Sequence, residues 1–168
     1  MQVKDFSLRT EGDPLLTQKL KPYEFNKDTD PAEIEQTMIQ LMDKHYGYGI
    51  AANQVGFDQR VIVIQPKEQQ AFALFNPEVI ESDGEYEAEE GCLSFPGLFI
   101  KVKRFDNVTV KYVDKQQKEC TIKLTGMDAK CIQHELDHLD GICFTTRVSK
   151  LKLDLARKRQ RKLNGRTK

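Results

Sequence analysis

Residues 131–144 read CIQHELDHLDGICF, and this stretch constrains the fold more than any other. Wound as a helix at 100° per residue, it places Ala129, Ile132, Leu136 and Leu139 on one apolar stripe. Lys130, Gln133, Asp137 and Asp140 then form a polar face, and His134 and His138 stand one turn apart on a third face. The stripe has to pack against a core, which gives the helix a core face. Histidines four residues apart can grip one ion, and the intervening Glu135 can reach a water held beside it. The competing reading of the pentapeptide alone is a solvated helix in which two histidines meet by accident.

Two histidines do not complete a metal site, because catalytic zinc-type sites use three protein ligands and keep one position open. In the extended zinc-peptidase pattern H-E-x-x-H-x-x-G-x-x-H this chain keeps Gly141 but has Phe144 at the last position. After His138 there is no His or Glu, and only Asp140 and Asp154 carry a carboxylate. The third donor therefore has to be sought upstream. Cys92, within EYEAEEGCLSFPG, could supply it as a thiolate, a donor that suits zinc or ferrous iron better than magnesium or calcium. Standing alone, Cys92 reads as a small buried apolar residue.

The remainder of the chain predicts one α+β domain. Asp30 can cap a helix that Pro31 opens, with Ile34, Met38, Leu41 and Met42 at helical spacing and Gly47 as the stop. RVIVIQ, AFALF, Val108 to Val113 and Thr121 to Leu124 read as strands. A third helix is expected over Ser149 to Leu163. With 168 residues there is enough chain for a real core. No apolar run approaches a membrane span, and no segment has the form of a secretory signal. Cys92, Cys120, Cys131 and Cys143 show no C-x-x-C spacing and read as thiols, which points to a cytoplasmic protein. The zero net charge conceals a basic tail: from Arg147 onwards there are ten Lys or Arg residues and one acid. Such a tail suits an anionic surface, or is simply a solvated helix.

Three separated segments resemble the peptide deformylases. Gly47-Tyr48-Gly49-Ile50-Ala51-Ala52-Asn53-Gln54 matches G-x-G-[LI]-A-A-x-Q, Glu90 to Ser94 matches E-G-C-L-S, and Gln133 to His138 matches Q-H-E-x-D-H. The likeness runs from about Asp13 to Arg147. It implies antiparallel or mixed sheets around a central metal-binding helix, with an N-terminal helix and a basic C-terminal helix. Residues 1–147 would be the catalytic domain and 148–168 a basic helix or tail. The implied reaction removes the formyl group from the N-terminal formyl-methionine of nascent polypeptides, releasing formate.

By the same resemblance Cys92, His134 and His138 bind one divalent ion, with Fe2+ favoured over Zn2+, Ni2+ or Co2+. Glu135 handles the proton of the attacking water, and the Gln54 amide and the Leu93 N–H receive the oxyanion. Gly49 pairs with the peptide, while Tyr48, Glu90 and Cys131 wall the substrate pocket, with Met127 a further candidate. Tyr48 and Lys130 depart from the family pattern beside that pocket, which leaves its side-chain preference open. His45 matches no motif position and reads as structural. The tail is similar in charge to a helix that some bacterial members lay on the ribosome, and Leu151 and Leu155 are expected to dock it on the body while Arg157 to Lys162 face solvent. A zinc endopeptidase and a metal-stabilised binding module remain as alternatives. The source, bacterial, organellar or viral, is left open.

Overall fold

The computed structural model describes residues 3–25 and 29–164. Helix α1 (Pro31–Lys44) begins as its sequence dictates. Asp30 accepts a hydrogen bond from the Ala32 N–H at 2.9 Å, and Pro31 occupies the first turn, where no N–H is needed. Ile34, Met38 and Met42 are fully buried along one face. Glu35 is buried beside them, and its carboxylate takes the Ala73 N–H at 3.0 Å and the Lys115 ammonium at 2.5 Å.

Seven strands follow: β1 (Gly49–Ala51), β2 (Val61–Ile64), β3 (Phe72–Asp83), β4 (Tyr86–Cys92), β5 (Phe95–Arg104), β6 (Asn107–Val113) and β7 (Glu119–Thr125). They form a five-stranded sheet in the order β1-β2-β3-β6-β7 and a separate β4-β5 hairpin, and every ladder is antiparallel. Helix α2 (Gly126–Leu139) lies against β1, β2 and β7, and α3 (Lys150–Asn164) lies against β5. The fold is thus α+β, with antiparallel sheets around a central helix.

The expected strand segments all fall in the large sheet. The hairpin was not anticipated, although β5 carries a period-2 signal: Leu98, Ile100 and Val102 are buried, while Phe99 and Lys101 between them are exposed. α2 stops as expected at a Schellman motif. Gly141 adopts φ +72°, its N–H bonds the His138 carbonyl, and the Ile142 N–H bonds the Asp137 carbonyl. A side chain at Gly141 would also stand 2.7 Å from the Thr17 carbonyl oxygen.

One expectation, the docking face of the tail helix, needs correction. The polar face of α2 is partly internal, because Gln133 and Asp137 are buried while Asp140 is exposed. Asp137 lies beneath Arg104 and Arg147, while Gln133 bonds both backbone groups of Phe105. In the tail, Leu151 and Leu155 are exposed, and the docking residues are Leu153 and Ala156. Arg157 turns back onto Glu11 and over the Phe95 ring rather than into solvent. Leu153, Ala156 and Gln160 share one helix face, and that face carries the contact to β5 and the Pro96 carbonyl. The tail residues 165–168 lie outside the described residues.

Candidate active site

Helix α2 is buried on almost every side; it carries His134 and Glu135 into the lining of a cavity of about 1030 Å3 and holds His138 buried beside them. β4 delivers Cys92 at the end of the hairpin, beside a register shift between Gly91 and Cys92. The donor atoms of Cys92, His134 and His138 lie within 4.8 Å of one another. Cys92 Sγ stands 3.3 Å from His138 Nε2. His134 has its Nδ1 2.9 Å from the Glu90 carboxylate, which fixes the ring and leaves Nε2 for the cluster.

Around these ligands the charges are arranged in layers. Glu90 is buried, and burial alone would raise its carboxyl. Hydrogen bonds from His134 and Arg104, with the Arg104 charge, outweigh that and hold it at about 2. Arg104 grips both Glu90 oxygens, at 2.7 and 3.0 Å, and reaches Asp137 at 2.6 Å. Asp137 also receives Arg147. Burial, then the His134 charge, keep His138 far below its ordinary value, so its imidazole is neutral, the form that ligates metals. For His134 burial works downward too, yet hydrogen bonds with Cys92 and Glu90 prevail and lift it to about 10. A cation bound here would displace the proton that His134 carries.

Glu135 is pushed up to about 7, chiefly by burial, with the His134 charge partly offsetting and the Glu90 charge adding to the rise. A carboxylate poised there can take and return a proton at neutral pH. Two buried atoms at the centre, Glu135 Oε2 and His138 Nδ1, have no hydrogen-bond partner among the described residues. A thiolate donor, two imidazoles and a neighbouring free carboxylate oxygen fit a single borderline-soft divalent ion with one exchangeable position.

The other expected residues gather at the same cavity. Gln54 accepts the Ala51 N–H, and its Nε2 lies 3.5 Å from Cys92 Sγ and 3.1 Å from Ser94 Oγ. Leu93 lines the cavity between Cys92 and Ser94. Gly49 lies on β1, an outer strand of the sheet, where a Cβ would stand 2.7 Å from both Cys131 Sγ and Glu135 Oε1. That glycine is therefore required by close approach to α2. The Cys131 thiol is pushed well above its ordinary value, first by burial and then by Glu135. Tyr48 and Met127 stand exposed on the cavity rim. His45 caps α1 and also borders the cavity but does not join the ligand cluster.

Sequence reasoning missed Arg104, Ser94 and Asn53. Asn53 donates to the His138 carbonyl at 2.6 Å and so holds the end of α2. Phe144, noted only as a missing ligand, packs its ring 5.6 Å from that of His134. Arg104 was visible in principle, since it keeps the inward parity of Leu98, Ile100 and Val102.

A three-donor cluster on a central helix, a buried carboxylate poised near neutrality and an adjoining outer strand define the class of single-ion metallohydrolases. The family model for polypeptide deformylase matches residues 6–154, and the chain belongs to that family. It is 44% identical over 134 residues to the peptide deformylase of Thermodesulfovibrio yellowstonii, covering 77% of this chain and 81% of the relative. Among solved structures it is similar to the Legionella pneumophila peptide deformylase, with TM-score 0.86, 35% identity and 96% of each chain covered. The Synechococcus elongatus peptide deformylase, solved in complex with actinonin, gives TM-score 0.85 and 34% identity, covering 92% of this chain and 87% of its own. No helix among the described residues is long and apolar enough to cross a membrane.

Proposed function

We propose that the chain hydrolyses the formyl amide of N-formyl-methionyl peptides, with Cys92, His134 and His138 as ligands and Glu135 as the proton-transfer group. The convergence of the three donor atoms within 4.8 Å beside an unpartnered Glu135 oxygen carries this reading. Ferrous iron held by Cys92, His134 and His138, or zinc, nickel or cobalt in its place, would supply Lewis acidity to the attacking water. The thiolate suits ferrous iron or zinc over magnesium or calcium, and the resemblance to the deformylases favours ferrous iron.

The protein's own groups do the rest. Glu135 takes a proton as water attacks the formyl carbon and returns it to the leaving amine; a carboxyl near 7 serves both transfers. The Gln54 amide and the Leu93 N–H receive the charge that develops on the formyl oxygen. Gly49 presents the backbone of β1 to the peptide, which lies along the sheet edge as an added strand. Tyr48, Glu90 and Cys131 bound the space for the first side chain.

Catalysis resides in residues 1–147, and residues 148–168 form a basic appendage that contacts ribosomal RNA in the cytoplasm. The exposed Lys158, Arg159, Arg161 and Lys162 support this. Unchanged ribosome co-sedimentation at low salt after deletion of 148–168 would refute it. The enzymatic reading is tested by formate release from a formyl-Met-Ala-Ser peptide, using anaerobically purified, iron-loaded protein. Wild type should turn over, and Glu135→Gln should lose on the order of a hundredfold or more with the ion retained. Absence of formate from the wild type would sink the proposal.

A further inference from the structure

The first side chain of a formyl peptide is attached to the α-carbon, which only the amide nitrogen separates from the reacting formyl carbon. It must therefore enter the part of the cavity directly beside His134 and Glu135. One turn back along α2 from those residues, about 6 Å away, stand Lys130 and Cys131, four positions before each. The facing wall is β4 at Glu89 and Glu90. Lys130 reaches across this space, and its ammonium donates to the Glu89 carbonyl oxygen at 3.1 Å. An ammonium has three N–H donors. Its charge also acts on the Cys131 thiol, and it forms no ion pair with a carboxylate among the described residues. The wall of the side-chain pocket thus carries, at its solvent side, a cation with donors to spare, beside the apolar rim of Tyr48 and Met127.

We propose that Lys130 is a specificity-determining residue. It opens this pocket to formyl peptides whose first side chain has the length of methionine and ends in a strong hydrogen-bond acceptor, of which methionine sulfoxide is the type. The inference rests on the deformylase reading. A thioether sulfur is a weak acceptor and a methylene is none, whereas a sulfoxide oxygen accepts fully. A site with a free donor discriminates between such isosteres, because the donor loses hydration on binding and regains a bond only with the acceptor. The contact does not involve the reacting carbon, so it is felt equally in the ground and transition states and belongs in KM.

The test compares formyl-Met(sulfoxide)-Ala-Ser with formyl-norleucine-Ala-Ser on wild type, Lys130→Met and Lys130→Arg, with formyl-Met-Ala-Ser as reference. Wild type should favour the sulfoxide over norleucine, by kcat/KM, about tenfold more than Lys130→Met does. The difference should lie in KM, and Lys130→Arg should keep the wild-type ratio. Binding of the formyl-free peptides, measured by calorimetry, should show the same ratio independently of turnover. Equal ratios in wild type and Lys130→Met overturn the proposal. So does an equal loss on all three peptides, which would mark Lys130 as merely structural. No formate from any peptide, the reference included, would instead remove the deformylase reading on which the proposal stands.

Discussion

Replacing Arg104 with methionine removes the charge that holds the ligand helix to the hairpin. The guanidinium is 3% exposed and makes three charge-assisted bonds, two to Glu90 and one to Asp137, whose side chains are 1% and 9% exposed. The two carboxylates do not suffer equally. Asp137 keeps Arg147, whereas Glu90 keeps only His134. The loss therefore concentrates on one buried carboxylate, and breaking such a pair by removing one partner costs about 3–5 kcal/mol. Urea denaturation of metal-stripped protein reads this without a contribution from ion binding, provided the slope is unchanged. Arg104→Met should lower stability by that amount. The double variant Arg104→Met with Glu90→Gln should be at least about 1 kcal/mol more stable than the sum of the two single losses, because no carboxylate is then stranded. A single variant within about 1 kcal/mol of wild type, or strict additivity, would refute the reasoning.

Gly49→Ala should lower kcat/KM by about a hundredfold or more, since the new methyl would press on both Cys131 Sγ and Glu135 Oε1. Cys131→Ala should recover only part of it, and wild-type activity for Gly49→Ala would exclude the close approach. Lys115 is raised above its ordinary value of 10.5 by the hydrogen bond and charge of Glu35. A base with a raised folded pKa contributes stability that is complete below about 10.5 and is lost as pH rises through the folded value. The stability gap between wild type and Lys115→Met should therefore narrow above pH 10.5, and a gap that widens there would contradict the pairing. Chelation should lower the thermal midpoint and re-addition of ferrous iron or zinc should restore it, by about 2.7 kcal/mol of stability at a hundredfold excess over Kd. In Cys92→Ser this rise should shrink strongly, and an undiminished rise would exclude Cys92 as a ligand.

The cluster of candidate donors was legible because its residue types are scarce and their chemistry narrow. Two histidines at helical spacing define a face, and the lack of a downstream His or Glu directs the search to Cys92. The three motif segments also foretold Gly49 and Gln54, which the fold brings to the same cavity. Boundaries followed where a local rule decides them, at Asp30-Pro31 and at Gly141. The β4-β5 hairpin was missed because YEAEEGC is rich in acids and FPGLFIKVKR opens with Pro and Gly close together, which mask its alternation. The tail helix was placed correctly but rotated wrongly. Its leucines invite docking by hydrophobicity, yet the surface available on β5 receives Leu153 and Ala156.

The polar face of α2 shows how little a helical wheel says at such a site. A wheel gives the direction of a side chain and nothing of what lies in that direction. Asp137 points at Arg104 and Arg147, which come from positions 33 and 10 residues away, and no local pattern can reveal that meeting. The burial follows from the chemistry asked of the helix. To keep Glu135 near 7 and His138 neutral, α2 must be enclosed, and every residue from Ile132 to Leu139 is buried. Once enclosed, its remaining polar side chains need partners, which Arg104 and Arg147 supply to Asp137 and the Phe105 backbone supplies to Gln133. Charges on an amphipathic helix that carries candidate ligands are therefore better read as a call for buried cations elsewhere in the chain, and Arg104, inward-facing at the end of β5 where it pairs with Tyr86, is the residue that answers it.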